Sequence, residues 1–167
     1  VIFDIASIRN YVGQHVVENY NLWISTDPTV HTQVMGASNS AHDGALVPVV
    51  KMLKGWNKVA GGGLSGLYLE FMTREVLTNV TISNDPSAVR FVLEKGVERV
   101  KKKVLDPAGF ENQFNPLKTI TLDTAVKRFS AALTAARAAE QAEREGRTRQ
   151  AFEHWKTVFG SYFPSYG

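Results

Sequence analysis

The spacing of apolar residues changes near residue 41. Before that point it alternates. Val1, Phe3 and Ile5 share one face and Ile2, Asp4 and Ala6 the other, which predicts a short strand over 1–7. Residues 15–26 carry Val16, Val17, Tyr20, Leu22, Trp23 and Ile24 and read as a weaker strand, closed by a turn at Asp27-Pro28. Residues 36–44 are small and polar, a loop or the lead-in to a helix.

From about Ala41 the apolar positions recur at three and four. Leu46, Val49, Val50, Leu53 and Trp56 predict a first helix, with Pro48 tolerable only if it stands in the first turn. Gly61-Gly62-Gly63 ends it. A second helix is expected over 65–79, with Leu69, Met72, Val76 and Val80 on one side. Asp85 as N-cap and Pro86 at the first helical position open a third, striped by Val89, Val92, Leu93, Val97, Val100 and Val104. Two prolines, a glycine and two asparagines make 106–118 a long loop. An alanine-rich fourth helix follows over 122–145, capped by Thr121 and stopped by Gly146. Thr148 caps a last short helix with Phe152, Trp155 and Phe159 on one face. The fold class expected is mainly α with a minor β portion: about five helices after a short β segment.

The chain has 167 residues, 44% of them hydrophobic and 21% charged, which suits one globular domain and argues against wholesale disorder. Its apolar runs are far shorter than the roughly 20 residues a membrane helix needs. No basic start followed by an apolar core is visible. Cysteine is absent, which excludes disulfides, zinc-thiolate sites and thiol catalysis and fits a reducing cytoplasmic setting. The net charge of +3 allows an anionic ligand, but the acids are interspersed and no concentrated nucleic-acid-binding surface is signalled. Val1 lies inside an apolar run, so an upstream segment of the same protein, or a second chain supplying it, is an expected partner.

Few residues stand out chemically. Asp4 is a carboxylate within an apolar strand: either a strand end facing solvent or a metal ligand projecting from a sheet. Two-metal phosphoryl transfer needs several such acids, and no Asp-x-Asp pair is present. Lys51, Lys54 and Lys58 lie on one helix face, either a solvated face or a cationic ridge that meets phosphates. The glycine triplet lacks any phosphate-loop pattern and reads as a connector. Ser65, in Gly-Leu-Ser-Gly, misses the nucleophile elbow because Leu67 replaces the last glycine. His15, His31, His42 and His154 have no metal-ligand spacing.

Three stretches together resemble a known family. They are Leu46 to Asn57 followed by Leu64 to Glu70, Trp23 to His31, and the tail Trp155 to Pro164. In this order they are similar to the C-terminal portion of bacterial cGAS/DncV-like nucleotidyltransferases (CD-NTases), relatives of oligoadenylate synthetase in the polymerase-β-like superfamily. The resemblance implies two parts: 1–35 as the last strands of the nucleotidyltransferase head, carrying its third acidic residue, and 36–167 as a helical lobe. Asp4 matches that third acid, a catalytic ligand for Mg2+ or Mn2+; the family's Gly-Ser and Asp-x-Asp elements do not occur in this sequence. Lys54 resembles a lysine that contacts the donor triphosphate, with Lys51 beside it. Ser65 lies one residue before an assisting serine, whose slot Gly66 takes. Leu67 stands where an aromatic usually stacks on a base, with Tyr68 next to it. The implied activity is the joining of nucleoside triphosphates into cyclic or linear oligonucleotide second messengers in anti-phage signalling, with the chain inactive by itself. The alternative is a non-catalytic helical module that binds nucleotide or protein.

Overall fold

The computed structural model describes residues 27–109 and 113–166. The two strands expected upstream, and Asp4 with them, lie outside the described residues.

The described part is mainly helical, as expected. Helix α1 (Pro28–Ala41) is the first difference from the sequence reading, which placed a turn at its start and a loop over its end. Asp27 is its N-cap, its Oδ1 accepting from the backbone N–H of Thr29 at 2.9 Å and of Val30 at 3.2 Å, and Pro28 takes the first helical position. Asp-Pro starts a helix as readily as a turn, because proline's fixed φ suits both. The helix runs unbroken across the boundary drawn at residue 35.

Helix α2 (Leu46–Val59) buries Leu46, Val49, Leu53 and Trp56. Pro48 stands in its first turn, where its absent N–H breaks no intrahelical bond. No side chain of residue 45 caps this helix; Asn39 on α1 does so instead, accepting from Val47 N–H at 2.9 Å. The glycine triplet follows with φ of 92°, 67° and 93°, a left-handed path that residues with a Cβ rarely take.

Helix α3 (Gly66–Leu77) is capped by Ser65, and α4 (Asp85–Arg99) by Asn84, whose Oδ1 accepts from Ser87 N–H at 2.9 Å. Asp85, expected as that cap, is instead the first helical residue, where its charge still favours the helix dipole. Strand β1 (Val104–Leu105) precedes the loop expected over 106–118 and strand β2 (Gln113–Phe114) falls within it, the two paired antiparallel with Val104 opposite Phe114. Helix α5 (Leu122–Arg144) is capped by Thr121 as expected, and α6 (Thr148–Phe159) follows the turn at Gly146. Thr148 is the first residue of α6 rather than its cap. A single 3-10 turn (Gly160–Tyr162) ends the described fold.

Helix α5 packs against both α4 and α6, and α3 packs on α2 and α4. Alanines 125, 132, 136 and 139 form the buried face of α5, so its neighbours approach closely. Gly96 on α4 takes this furthest: a Cβ there would overlap the ring of Phe129. That ring lies 4.6 Å from Trp56, centroid to centroid. At the other end, buried His31 on α1 donates from Nε2 to Asp106 Oδ1 at 2.7 Å, joining α1 to the segment after β1. The His31 ring stands edge-on to Phe71 at 5.1 Å and Phe114 at 5.6 Å.

Candidate functional site

The apolar stripe of α2 is sunk in the core, so the helix cannot rotate without exposing Leu53 and Trp56. Its opposite face presents Lys51, Lys54 and Lys58 in a fixed row. These three lysines line one cleft of about 580 Å³ between α2 and the C-terminal tail. The floor is apolar, from Met52, Phe159 and Phe163, and the far rim is Tyr162, 59% exposed. Gly160 lets the tail fold back here at φ 54°; a Cβ on it would stand 3.1 Å from Val59.

The three lysines are not equivalent. Lys54 is ion-paired with Glu70 of α3, its side chain 40% exposed and that of Glu70 21%. Lys51 and Lys58 have no carboxylate partner among the described residues. Lys58 stands 5.8 Å from the centre of the Tyr162 ring. The Tyr162 side chain, first as hydrogen-bond partner and then through its charge, holds the Lys58 pKa above the ordinary lysine value. The cleft therefore carries net positive charge over an apolar floor.

Ser65 does not line this cleft and is buried. It is 4% exposed, its Oγ accepts from Tyr68 N–H at 3.4 Å, and its own N–H donates to Pro116 at 2.9 Å. The Asn57 side chain, one turn after Lys54, donates to Leu64 at 3.3 Å and holds this corner to α2. Tyr68 is fully buried; its hydroxyl donates to the Arg99 carbonyl at 2.6 Å. Burial pushes its pKa well above the tyrosine range, the Arg99 charge opposing this. Of the residues singled out in the sequence, Lys51 and Lys54 thus share one cleft, Ser65 caps α3 outside its lining, and Tyr68 sits in the core, joining α3 to α4. Tyr162 and Phe163 were not singled out individually, and Phe159 was read only as part of the apolar face of the last helix. The clustering of aromatics around Gly160 was the available signal.

A second hollow, of about 570 Å³, lies between the ends of α1 and α3. Arg74 lines it and donates from Nε to Ser38 Oγ at 2.7 Å, and Asp43 lines it too. One arginine and one aspartate in the lining make it the less cationic of the two. Among the described residues no group of three or more His, Asp or Glu is placed to hold a metal ion, and no helix is long and apolar enough to cross a membrane.

The chain is similar to known proteins. A protein of Bacillus cereus named as a probable cyclic nucleotide synthase is 25% identical over 145 residues, 86% of this chain. The crystal structure of Vibrio cholerae DncV cyclic AMP-GMP synthase, in complex with the linear intermediate pppA(3′,5′)pG, superposes on 95% of this chain with a TM-score of 0.70 and 16% identity. Escherichia coli DncV in its 3′-deoxy GTP-bound form matches 83% with a TM-score of 0.66 and 20% identity. The chain is CD-NTase-like. At these identities the likeness to the two DncV structures is one of fold. This CD-NTase-like chain spans 44% of the Bacillus protein and 47% and 39% of the two DncV chains, matching the C-terminal portion of the fold. No protein-family model matches it.

Proposed function

We propose that this chain is the C-terminal portion, the last strands of the head and the helical lobe, of a nucleotidyltransferase that joins nucleoside triphosphates into cyclic or linear oligonucleotide second messengers, working in the cytoplasm in anti-phage signalling. One observation carries the reading: three lysines on a helix locked by its buried face line a single cleft, in a fold shared with DncV. Lysine ammonium groups meet phosphates as point charges. In this reading Lys54 and Lys51 hold the triphosphate of a donor nucleotide, and the buried cap at Ser65 sets where α3 begins.

The reaction is attack of a ribose hydroxyl on the α-phosphate. A new oxygen–phosphorus bond forms, the bond to the β-phosphate bridge breaks, pyrophosphate leaves and the hydroxyl gives up its proton. Charge grows on the departing pyrophosphate, and cations already in place stabilise it. A divalent ion, Mg2+ or Mn2+, would neutralise further charge, with Asp4 the candidate ligand from this chain. The work assigned to the described residues is binding and orienting the phosphates.

The test is nucleotide affinity and turnover of Lys54→Ala in the full-length protein. A charge-assisted bond to phosphate contributes roughly 1.5–3 kcal/mol, so affinity should fall about ten- to a hundredfold. Unchanged affinity and turnover would leave Lys54 a surface charge and remove the main support for this reading.

A further inference from the structure

The lysine cleft has two chemically distinct halves. One is the cation row on α2. The other is the aromatic tail, which reaches the cleft because Gly160 turns it back over Val59. Phe159 is 7% exposed and belongs to the core, its ring 5.9 Å from Trp155 on one side and 6.3 Å from Phe163 on the other. Phe163 is only partly exposed and faces that stack. Tyr162 is the exception. It sits between the two in sequence, yet stays 59% exposed and turns toward the lysines rather than into the stack.

An exposed tyrosine over an apolar floor, beside cations without carboxylate partners, suits a ligand that is flat and apolar at one end and anionic at the other. A simple anion would use the lysines and leave the floor and ring wet. A greasy ligand would leave the charges of Lys51 and Lys58 uncompensated. A nucleotide satisfies both halves: every base offers a π-face to stack, and its phosphates offer the charge.

Resting on the reading of the cleft given above, we propose that Tyr162 is the base-stacking residue of this site, its ring carrying the nucleobase while the phosphates run along the lysine row. Tyr162 is then the contact that separates a nucleotide from a bare polyphosphate. Its position in a short terminal turn, outside the packed helices, allows it to be removed without disturbing the core.

The experiment measures binding of ATP, GTP, CTP and UTP, and of inorganic tripolyphosphate, to the full-length protein and to its Tyr162→Ala, Tyr162→Phe and Lys54→Ala variants. Tyr162→Ala should weaken the best-bound nucleotide roughly fivefold or more, the loss expected for one stacked base. It should leave tripolyphosphate affinity unchanged, and Tyr162→Phe should restore the nucleotide affinity. If Lys54→Ala weakens nucleotide binding but Tyr162→Ala does not, the stacking role is overturned and the phosphate reading stands. Equal losses of nucleotide and tripolyphosphate in Tyr162→Ala would also overturn stacking, because the ring would then act only through Lys58. Failure of the unsubstituted protein to bind any of these probes overturns both.

Discussion

Lys54 of α2 and Glu70 of α3 are paired across the only described contact that joins the lysine row to a carboxylate. The pair does two opposing things. It fixes the Lys54 ammonium against α3, and it gives that ammonium a carboxylate with which a phosphate would compete. Both side chains keep some exposure, so the pair itself adds little to stability, on the order of 0–1 kcal/mol. Glu70→Gln should therefore change the melting temperature by only a few degrees. It should raise nucleotide affinity several-fold by removing the competing carboxylate, the reverse of Lys54→Ala. A fall in affinity in Glu70→Gln would mean that fixing Lys54 outweighs the competition.

Tyr68 predicts a pH effect. Its folded-state pKa is raised by burial, so the folded chain keeps the phenol proton at pH values where the unfolded chain has lost it. The contribution is fully present below the unfolded tyrosine value, about 10. It is lost as pH rises from there through the higher folded value. Urea titrations of the unsubstituted protein should show stability falling above about pH 10. Tyr68→Phe should flatten that decline. At neutral pH the same variant should cost about 1–2 kcal/mol, because the Arg99 carbonyl loses its donor. Nucleotide affinity should not move, since neither Tyr68 nor its partner Arg99 lines the cleft.

Gly96 sets how closely α4 and α5 approach. Alanine there would overlap Phe129, which has little room because Trp56 lies against its ring. Gly96→Ala should destabilise by about 1–3 kcal/mol despite alanine's better helix propensity. A stabilised variant in a thermal melt would show that the interface can open at no cost.

The 167-residue chain by itself should make no oligonucleotide from labelled nucleoside triphosphates with Mg2+ or Mn2+. It carries one candidate catalytic acid, Asp4, where two-metal phosphoryl transfer uses several. Product that disappears in Asp4→Ala would show that this chain holds all the chemistry required.

The helices with long apolar stripes were legible from spacing alone, because burial of Leu46 to Trp56 or Val89 to Val97 leaves a periodic record. Helix α1 was not. Its buried positions, His31 and Met35, are two residues in a polar stretch, and its start signal, Asp27-Pro28, is shared with turns. The cap of α4 was missed by one residue because Asn84 and Asp85 can each fill that position. Within the site, the common face of Lys51, Lys54 and Lys58 followed from helical spacing. The burial of Tyr68 did not, because its hydroxyl finds its partner 31 residues away, at Arg99. The approach of Tyr162 to Lys58 depends on a tail that folds back across more than a hundred positions, which no local pattern records.

The bond between His31 and Asp106 has kinetic consequences. It closes a separation of 75 residues, while α5 and α6 meet across a turn of a few. Contacts between sequence neighbours can form before the entropy of a long closure has been overcome. The α5–α6 hairpin should then assemble first, and α1 should dock last. The same order reversed governs opening from the native state: amides of α1 should exchange with solvent through a smaller, more frequent excursion than those of α5. Release of α1 should also loosen the start of α2, because Asn39 of α1 caps that helix, and should free Arg74 of α3 from Ser38.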